Sequence, residues 1–249
     1  MKGVILAGGL GTRLRPLTNI TNKHLLPLYD KPMIFYPIST LVSAGITEVM
    51  IVTGGNSAGD FLRLLGDGSQ FGLRILNYAY QVREGGIAEA IGLTSAFVGG
   101  DRFVVILGDN ILEGSIRRYV EAFERQAGGA RILLKEVPNP RDYGVAELDG
   151  NRVVSIQEKP ANPRSSHAVI GVYMYDGFAF DFISRLQPSA RGELEVTDLN
   201  NAYLERGLLQ ADVLEGWWSD AGSSIDGYLE ANVRVAELSR RTAGGGCAG

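Results

Sequence analysis

Cysteine and long apolar runs are nearly absent from this sequence of 249 residues. The single cysteine, Cys247, excludes a framework of intrachain disulfides. No uninterrupted apolar run reaches the ~18 residues that a membrane-spanning helix needs, so we expect no membrane partner. Glycines and arginines follow the first apolar run, where a secretory signal peptide would have its cleavage region. Together these absences predict a cytoplasmic protein.

Acidic residues outnumber basic ones in this sequence. The net charge is −4 and the sequence pI is about 5.3, which disfavours nucleic acid as a partner. A small anionic substrate needs only local positive charge and stays compatible with this balance. The D-x-D pattern that glycosyltransferases usually offer to a metal is missing as well. Glycine, in contrast, occurs 33 times, about twice its usual share, and often where apolar runs end.

The first half of the chain alternates short apolar runs with helical patterns. Strands are predicted at Lys2–Ala7, Glu48–Thr53, Arg74–Tyr80 and Arg102–Leu107. Helices are predicted at Pro32–Ala44, Ala58–Leu65, Ile87–Phe97 and Ser115–Gln126. This alternation predicts a doubly wound, mainly parallel, Rossmann-like α/β sheet with helices on both faces.

The pattern changes after residue 127. Strands are predicted in quick succession at Ala130–Val137, Gly144–Leu148, Arg152–Gln157, His167–Tyr175 and Leu208–Leu214. Helices are predicted at Phe178–Leu186, Val196–Arg206 and Ser223–Arg240. We therefore expect one domain over residues 1–240, with a small β-rich insertion in its second half and a disordered tail over 241–249.

The first predicted strand leads into a glycine-rich segment. Gly8, Gly9 and Gly11 place backbone N–H groups at the carboxyl edge of the sheet, and such a loop can cradle phosphates. Arg13 and Lys23 can add charge-assisted contacts. The segment fits neither the dinucleotide-binding fingerprint nor the P-loop. A plain strand-to-helix turn with surface arginines is the alternative.

Two further polar residues follow buried strands. Gln81 ends the third strand, and its amide can complement a pyrimidine edge, with Gly86 leaving room for the base. Read alone, Gln81 is more often a loop-capping residue. Asp109 follows the fourth strand, at the usual ligand edge of an α/β sheet, where it can hold Mg²⁺ or cap the next turn.

The residues also resemble a known family. Leu6–Thr18, with Lys23 shortly before Leu26-Pro27, resembles the signature of sugar-1-phosphate nucleotidyltransferases. The stretch Leu26–Ile34 narrows the resemblance to glucose-1-phosphate thymidylyltransferases. This resemblance implies transfer of a nucleotidyl group from dTTP to glucose 1-phosphate, giving dTDP-glucose and pyrophosphate, with Mg²⁺ as cofactor. The same chemistry with UTP or another sugar 1-phosphate is the alternative.

The resemblance also implies a role for each matching position. The catalytic residues it implies are Arg13, Lys23 and Lys159. For the nucleotide it implies Leu6, Gly8, Gly9, Gly11, Thr12, Arg13, Gln81, Gly86 and Asp109. For the sugar phosphate it implies Asn110, Tyr143, Gly144, Glu158, Lys159, Val169, Tyr173 and Arg191. For the metal it implies Asp109 and Asp220. Residues 1–127 would then bind mainly the nucleotide and residues 128–222 mainly the sugar, with residues 223–240 as a C-terminal helix.

The sequence departs from the family pattern at three points. His24 stands where the family commonly has Gln, and Ala221 replaces the Thr of W-x-D-T-G. The chain also stops before the additional helices of the family's long form, so we expect the regulatory nucleotide site that they build to be absent. A homo-oligomer is left open.

Two rival functions come from other classes. Gly55–Gly59 matches the G-x-S-x-G of a serine hydrolase, with Ser57 as nucleophile and Asp109 and His167 following in hydrolase order. No H-G-G-G oxyanion segment precedes it. A non-catalytic sugar-nucleotide sensor would lack the metal carboxylates or Lys159, and all of these are present.

Overall fold

The computed structural model describes residues 1–244 of the chain, with their side chains through residue 241. The strands are β1 (Lys2–Ala7), β2 (Pro27–Leu28), β3 (Lys31–Pro32), β4 (Glu48–Gly54), β5 (Ile75–Gln81), β6 (Phe103–Leu107), β7 (Asn110–Leu112), β8 (Ala130–Glu136), β9 (Gly144–Asp149), β10 (Arg152–Glu158), β11 (His167–Tyr175), β12 (Leu209–Val213) and β13 (Trp218–Asp220). The helices are α1 (Phe35–Ser43), α2 (Ala58–Leu65), α3 (Ile87–Gly92), α4 (Ser95–Val98), α5 (Arg117–Arg125), α6 (Ala179–Ile183), α7 (Val196–Leu204) and α8 (Ile225–Gly244). None of these helices is both long and apolar enough to cross a membrane.

Nine of the strands form one sheet, and its order confirms the predicted fold class. The path runs β10-β9-β11-β6-β1-β4-β5, with β8 on β11 and β12 on β8. Strands β6, β1, β4 and β5 are parallel. The later strands β9, β10 and β11 pair antiparallel, which corresponds to the predicted β-rich insertion. Chain order reverses between β1 and β6, and ligands of such sheets bind at that switch point.

Strand β11, the neighbour of β6, pairs with two different strands along one of its edges. Its C-terminal half pairs with β6, whereas Ala168 in its N-terminal half pairs with β9. Strands β6 and β9 therefore share one edge of β11, one after the other. Gly171 lies at the junction, where a Cβ would overlap Leu107 and Asn110. The gap between the ends of β6 and β9 forms a cleft.

Apolar side chains cover both faces of the sheet. Alternate residues of β6 face opposite sides, so Phe103 and Val105 join one core and Val104 and Ile106 join the other. The first core is covered by α3, α6 and α7, and the second by α1, α2 and α5. A third, smaller cluster packs α8 against β2 and β7. These contacts hold the strand ends that line the cleft.

Two of the predicted elements differ clearly from the structure. The helix predicted over Ile87–Phe97 is two helices, and between them the Thr94 hydroxyl donates to the Ile91 carbonyl at 2.7 Å, a bond that competes with the helical pattern. Helix α8 runs to Gly244, where a disordered tail was expected from residue 241. Arginines favour a helix end because they complement its dipole. Residues 245–249 of that predicted tail lie outside the described residues.

We predict that Phe103→Ala lowers the free energy of unfolding by about 3–5 kcal/mol, because it leaves a cavity in the first core. Phe103 is fully buried, and its ring lies 5.3 Å from that of Phe180 and 5.8 Å from that of Tyr175. Urea unfolding followed by circular dichroism measures the change. Val154→Ala, on the exposed face of β10, should change it by less than about 0.5 kcal/mol. Equal effects of the two variants would contradict this assignment of the core.

Candidate active site

A cleft of about 480 Å³ opens at the carboxyl ends of β1, β5 and β6, beside β9 and β11. Every site residue predicted from the sequence lines it. From the nucleotide half these are Leu6, Gly8, Gly9, Gly11, Thr12, Arg13, Lys23, Gln81, Gly86 and Asp109. From the sugar half and the metal pair they are Asn110, Tyr143, Gly144, Glu158, Lys159, Val169, Tyr173, Arg191 and Asp220. Residues as far apart in sequence as Leu6 and Asp220 thus share one concave surface.

The glycine segment forms one wall of the cleft. Gly11 has a φ of +64°, and the Thr18 hydroxyl donates to its carbonyl at 2.7 Å. The Leu10 N–H donates to the Glu84 carboxylate at 3.1 Å, so an acidic side chain already engages one loop amide. Arg13 is exposed and has no ion pair among the described residues. Its guanidinium is therefore free to bind an anion.

Two short strands bring the acidic residues together. Strands β7 and β13 form an antiparallel ribbon in which Asp220 is opposite Asn110, and the Ala221 N–H donates to the Asp109 carbonyl at 3.0 Å. Lys23 contacts the Asp109 carboxylate as an ion pair. A Cβ on Gly222 would overlap this pair, so a glycine is needed beside it.

The charges of this cluster are strongly coupled. Burial raises the pKa of Asp220, and the negative charge of Asp109 raises it further, to about 7. Burial acts in the same direction on Asp109, but the Lys23 ammonium and a hydrogen bond from Asn110 outweigh it and hold its pKa well below the ordinary value. Burial lowers the pKa of Lys23, yet the attraction of Asp109 raises it overall. The Lys23 ammonium thus stabilises the ionised form of Asp109, but it does not offset the burial and repulsion that disfavour the ionised form of Asp220.

Asp109 and Asp220 fit a magnesium ion. Mg²⁺ is usually held by one or two protein carboxylates together with substrate phosphates and water. The described residues contain no cluster of three or more His, Cys, Asp or Glu side chains arranged around a metal position. Two coupled carboxylates with spare negative charge therefore match a cation that arrives with a phosphate substrate.

His24 is a buried support of the glycine segment. Its backbone N–H donates to the Asn22 side-chain oxygen at 2.9 Å, and its ring Nδ1 lies 2.7 Å from the same oxygen. Burial, followed by the charge of Lys23, lowers the pKa of His24 to about 3. The ring is neutral at pH 7 and donates through Nδ1. Asn22 in turn donates to the Ala7 carbonyl at 3.2 Å, so His24 stabilises the start of the segment.

The part of the cleft that was predicted to bind the sugar phosphate carries alternating charges. The Thr197 hydroxyl donates to Glu158 at 2.6 Å and fixes its carboxylate. Lys159 has a φ of +42°, rare for a residue with a side chain, and its N–H donates to the Tyr143 carbonyl at 3.0 Å. Arg191 lies 3.5 Å from Glu158 and 2.9 Å from Glu195.

The loop that carries Arg191 is joined to the nucleotide half through its backbone. The Leu194 N–H donates to the Gly85 carbonyl at 2.8 Å, and the Ala88 N–H donates to the Leu194 carbonyl at 3.1 Å. A Cβ on Gly86 would overlap that carbonyl. Gly86 is therefore required by this close backbone approach.

The side-chain amide of Asn110 already forms hydrogen bonds with other residues of the protein. Its amide oxygen accepts from the Gly171 N–H at 2.9 Å and from the Trp218 indole at 2.7 Å, and its NH₂ donates to Asp109 at 3.2 Å. The Trp218 ring also packs edge-on against Tyr143, with centroids 5.6 Å apart. Trp218 and Thr197 line the cleft without having been predicted. Both lie within segments that resemble the family, although neither was predicted as a site residue.

Comparison with known proteins identifies the family. The profile of the family described as nucleotidyl transferase matches residues 2–237. The chain belongs to this family. It is 48% identical over 229 residues to the glucose-1-phosphate thymidylyltransferase of Actinoplanes sp., covering 91% of this chain and 75% of that protein. It is 46% identical over 248 residues to the protein of the same name from Mycolicibacterium smegmatis, covering 96% and 84%.

Solved nucleotidyl transferase structures agree. A crystal structure from Bacillus anthracis, named as a glucose-1-phosphate thymidylyltransferase in complex with a sucrose, has 50% identity and a TM-score of 0.90, covering 94% of both chains. A UDP-glucose pyrophosphorylase complexed with UDP-glucose has 25% identity and a TM-score of 0.84, covering 95% of this chain and 98% of that one. The resemblance noted in the sequence is confirmed.

The serine hydrolase pattern has no structural counterpart in this nucleotidyl transferase. Ser57 ends a short 3-10 turn, Gly55–Ser57, and does not line the cleft. Asp109 is bonded to Lys23, and the His167 ring lies 3.6 Å from Glu136. Asp109 and His167 thus each pair with a residue outside the pattern.

We predict that Asp220→Asn stabilises the protein at pH 8 in the presence of a chelator. A carboxyl group whose pKa is about 7 when folded and 3.8 ordinarily binds more protons in the folded state. The free energy of unfolding therefore falls as pH rises between these values. Urea unfolding from pH 5 to 8 should show the variant more stable at pH 8 and the two proteins converging toward pH 5. A difference that does not change with pH would contradict this origin.

Proposed function

We propose that this chain is a Mg²⁺-dependent glucose-1-phosphate thymidylyltransferase of the cytoplasm, which converts dTTP and glucose 1-phosphate into dTDP-glucose and pyrophosphate. The observation that carries the proposal is the convergence in one cleft of the glycine segment with Arg13, the Lys23–Asp109–Asp220 cluster, and Lys159. The names of the relatives support the choice of substrates.

The nucleotide is assigned to the wall built by β1 and β5. The triphosphate would lie along the glycine segment, where Gly8, Gly9, Gly11 and Thr12 expose backbone to the cleft. Leu6 and Gln81 flank the space for the base. Arg13 is the free cation beside the reacting phosphates, and Lys23 is placed to neutralise the leaving pyrophosphate. Glu84 must release the Leu10 N–H if a phosphate is to take its place.

The sugar phosphate is assigned to the wall built by β9, β10 and β11. Glu158 can accept hydrogen bonds from sugar hydroxyls, and the Thr197 hydroxyl holds its carboxylate in place. Gly144, Val169 and Tyr173 line the same wall. Lys159 is aimed by its left-handed backbone and would hold the attacking phosphate as a point charge.

The chemistry is an in-line attack of the sugar-phosphate oxygen on the α-phosphorus of the nucleotide. A phosphate monoester is already a nucleophile at neutral pH, so no general base is needed. Catalysis is then positioning together with neutralisation of charge by Arg13, Lys23 and Lys159. A magnesium ion on Asp109 and Asp220 would supply further charge stabilisation for the phosphates when bound.

We predict that Asp109→Asn and Arg13→Gln each reduce turnover by roughly 100-fold or more, because the first removes a carboxylate that would hold Mg²⁺ and the second removes a cation beside the reacting phosphates. Release of pyrophosphate at saturating Mg²⁺ measures this. Arg15→Gln is the matched control, since Arg15 lies two residues on and does not line the cleft. Ser57→Ala should also retain turnover. Near-normal turnover by Asp109→Asn would refute the metal assignment.

We predict highest turnover for dTTP with glucose 1-phosphate in a matrix of nucleoside triphosphates against sugar 1-phosphates. UTP should also react, because it differs from dTTP by one methyl group on the base, worth only ~1–3 kcal/mol in an apolar pocket. Release of pyrophosphate is again the measurement. If no pair released pyrophosphate although the protein bound nucleotide, the sugar-nucleotide sensor would replace the enzyme.

A further inference from the structure

The amide of Gln81 is held in one orientation by two acceptors. Its Nε2 donates to the Gly86 carbonyl at 3.2 Å and to the Glu89 carboxylate at 3.3 Å. A carbonyl and an ionised carboxylate can only accept hydrogen bonds, so only the NH₂ side of the amide can face them. The amide oxygen must point the opposite way.

That oxygen faces the cleft as an unused acceptor. It lies 3.1 Å from the position a Cβ on Gly8 would occupy, against the glycine segment. No N–H or O–H group of the described residues donates to it. Uracil and thymine carry a hydrogen on N3, whereas N3 of cytosine is an unprotonated acceptor. An amide oxygen fixed at the base pocket thus favours the first two bases.

The Glu89 carboxylate is itself held in place from two sides. Arg83 donates to its other oxygen at 2.9 Å. Gly85 leaves the space that the carboxylate occupies, because a Cβ there would overlap it. Arg83 is largely exposed while Glu89 is mostly buried. The result is a relay in which Arg83 fixes Glu89, and Glu89 fixes Gln81.

We propose that Glu89 is a positioning residue that selects uracil and thymine nucleotides over cytosine nucleotides by fixing the Gln81 amide with its oxygen toward the base. Glu89 itself touches no substrate in this proposal. The inference rests on the proposed function, since it takes the cleft wall at Gln81 as the base pocket.

The test compares UTP with CTP, because the two nucleotides differ only at the pyrimidine edge. We would measure kcat/KM for both with glucose 1-phosphate, and the Kd of both by calorimetry. In Glu89→Gln, residue 89 can donate as well as accept, so only the Gly86 carbonyl still disfavours the flipped Gln81 amide. The UTP-to-CTP ratio should fall about tenfold, as expected when a hydrogen bond to a charged group is lost. The KM for glucose 1-phosphate should not change.

A second variant displaces Glu89 without removing it. Gly85→Ala places a methyl group where the carboxylate lies, and its ratio should fall in the same direction. Gly59→Ala is its control, since a Cβ there meets nothing within 4 Å. Asp60→Asn is the control for Glu89→Gln, because Asp60 is also an acid in the first turn of a helix and is paired with an arginine at 2.7 Å. Both controls should keep the wild-type ratio.

Three outcomes would distinguish the positioning role of Glu89 from the proposed function. A ratio in Glu89→Gln within twofold of wild type, or an equal loss for UTP and CTP, would overturn the positioning role. A fall of the ratio in both Glu89→Gln and Gly85→Ala, with neither control affected, would establish it. If wild type released no pyrophosphate, the proposed function would fail, while the ratio of the two Kd values would still decide the role of Glu89.

Discussion

Two carboxylates and one ammonium group at the floor of the cleft form the interaction on which the rest of the site depends. Asp109 and Asp220 repel each other in a poorly solvated place, and Lys23 compensates chiefly the first of them. Bringing such charges together costs folding free energy. Asp109 follows β6 of the large sheet, Asp220 ends β13 of the ribbon, and Lys23 begins the short turn Lys23–Leu25. Apolar packing of the surrounding elements offsets this cost. The site is thus built with negative charge that a cation can balance.

Sequence reasoning succeeded where one physical signal dominates. β1, β11 and α2 begin and end as predicted, because a long buried run or one amphipathic face specifies each of them. Sequence reasoning did not predict β7 and β13, because strands of three residues are too short to show a hydrophobic periodicity and are defined only by their pairing. The predicted helix over Ile87–Phe97 is interrupted by a hydrogen bond from the Thr94 hydroxyl, which no hydrophobic pattern reveals.

The candidate site shows the same division. Every residue predicted from its type and from the family resemblance lines one cleft, and the structure adds contacts that the sequence did not reveal. Gly86 was expected to leave room for a base, and it also admits the Leu194 carbonyl. Asn110 was expected to contact the sugar, but Gly171 and Trp218, 61 and 108 residues away, already occupy its amide oxygen. Contacts over such separations depend on topology, which local sequence does not encode.

The hydrogen bonds of Leu194 with Gly85 and Ala88 form a backbone seam that joins two walls of the cleft. The loop that carries Arg191 and the turn that carries Gly86 are therefore joined by backbone, and moving one away from the other breaks both hydrogen bonds. Any free energy spent in ordering this seam for the first ligand does not have to be spent again for the second. By thermodynamic reciprocity, the factor by which one ligand improves the affinity of the other must be the same in both directions. These two backbone hydrogen bonds are thus a direct physical link through which a ligand at one wall of the cleft can affect the other wall.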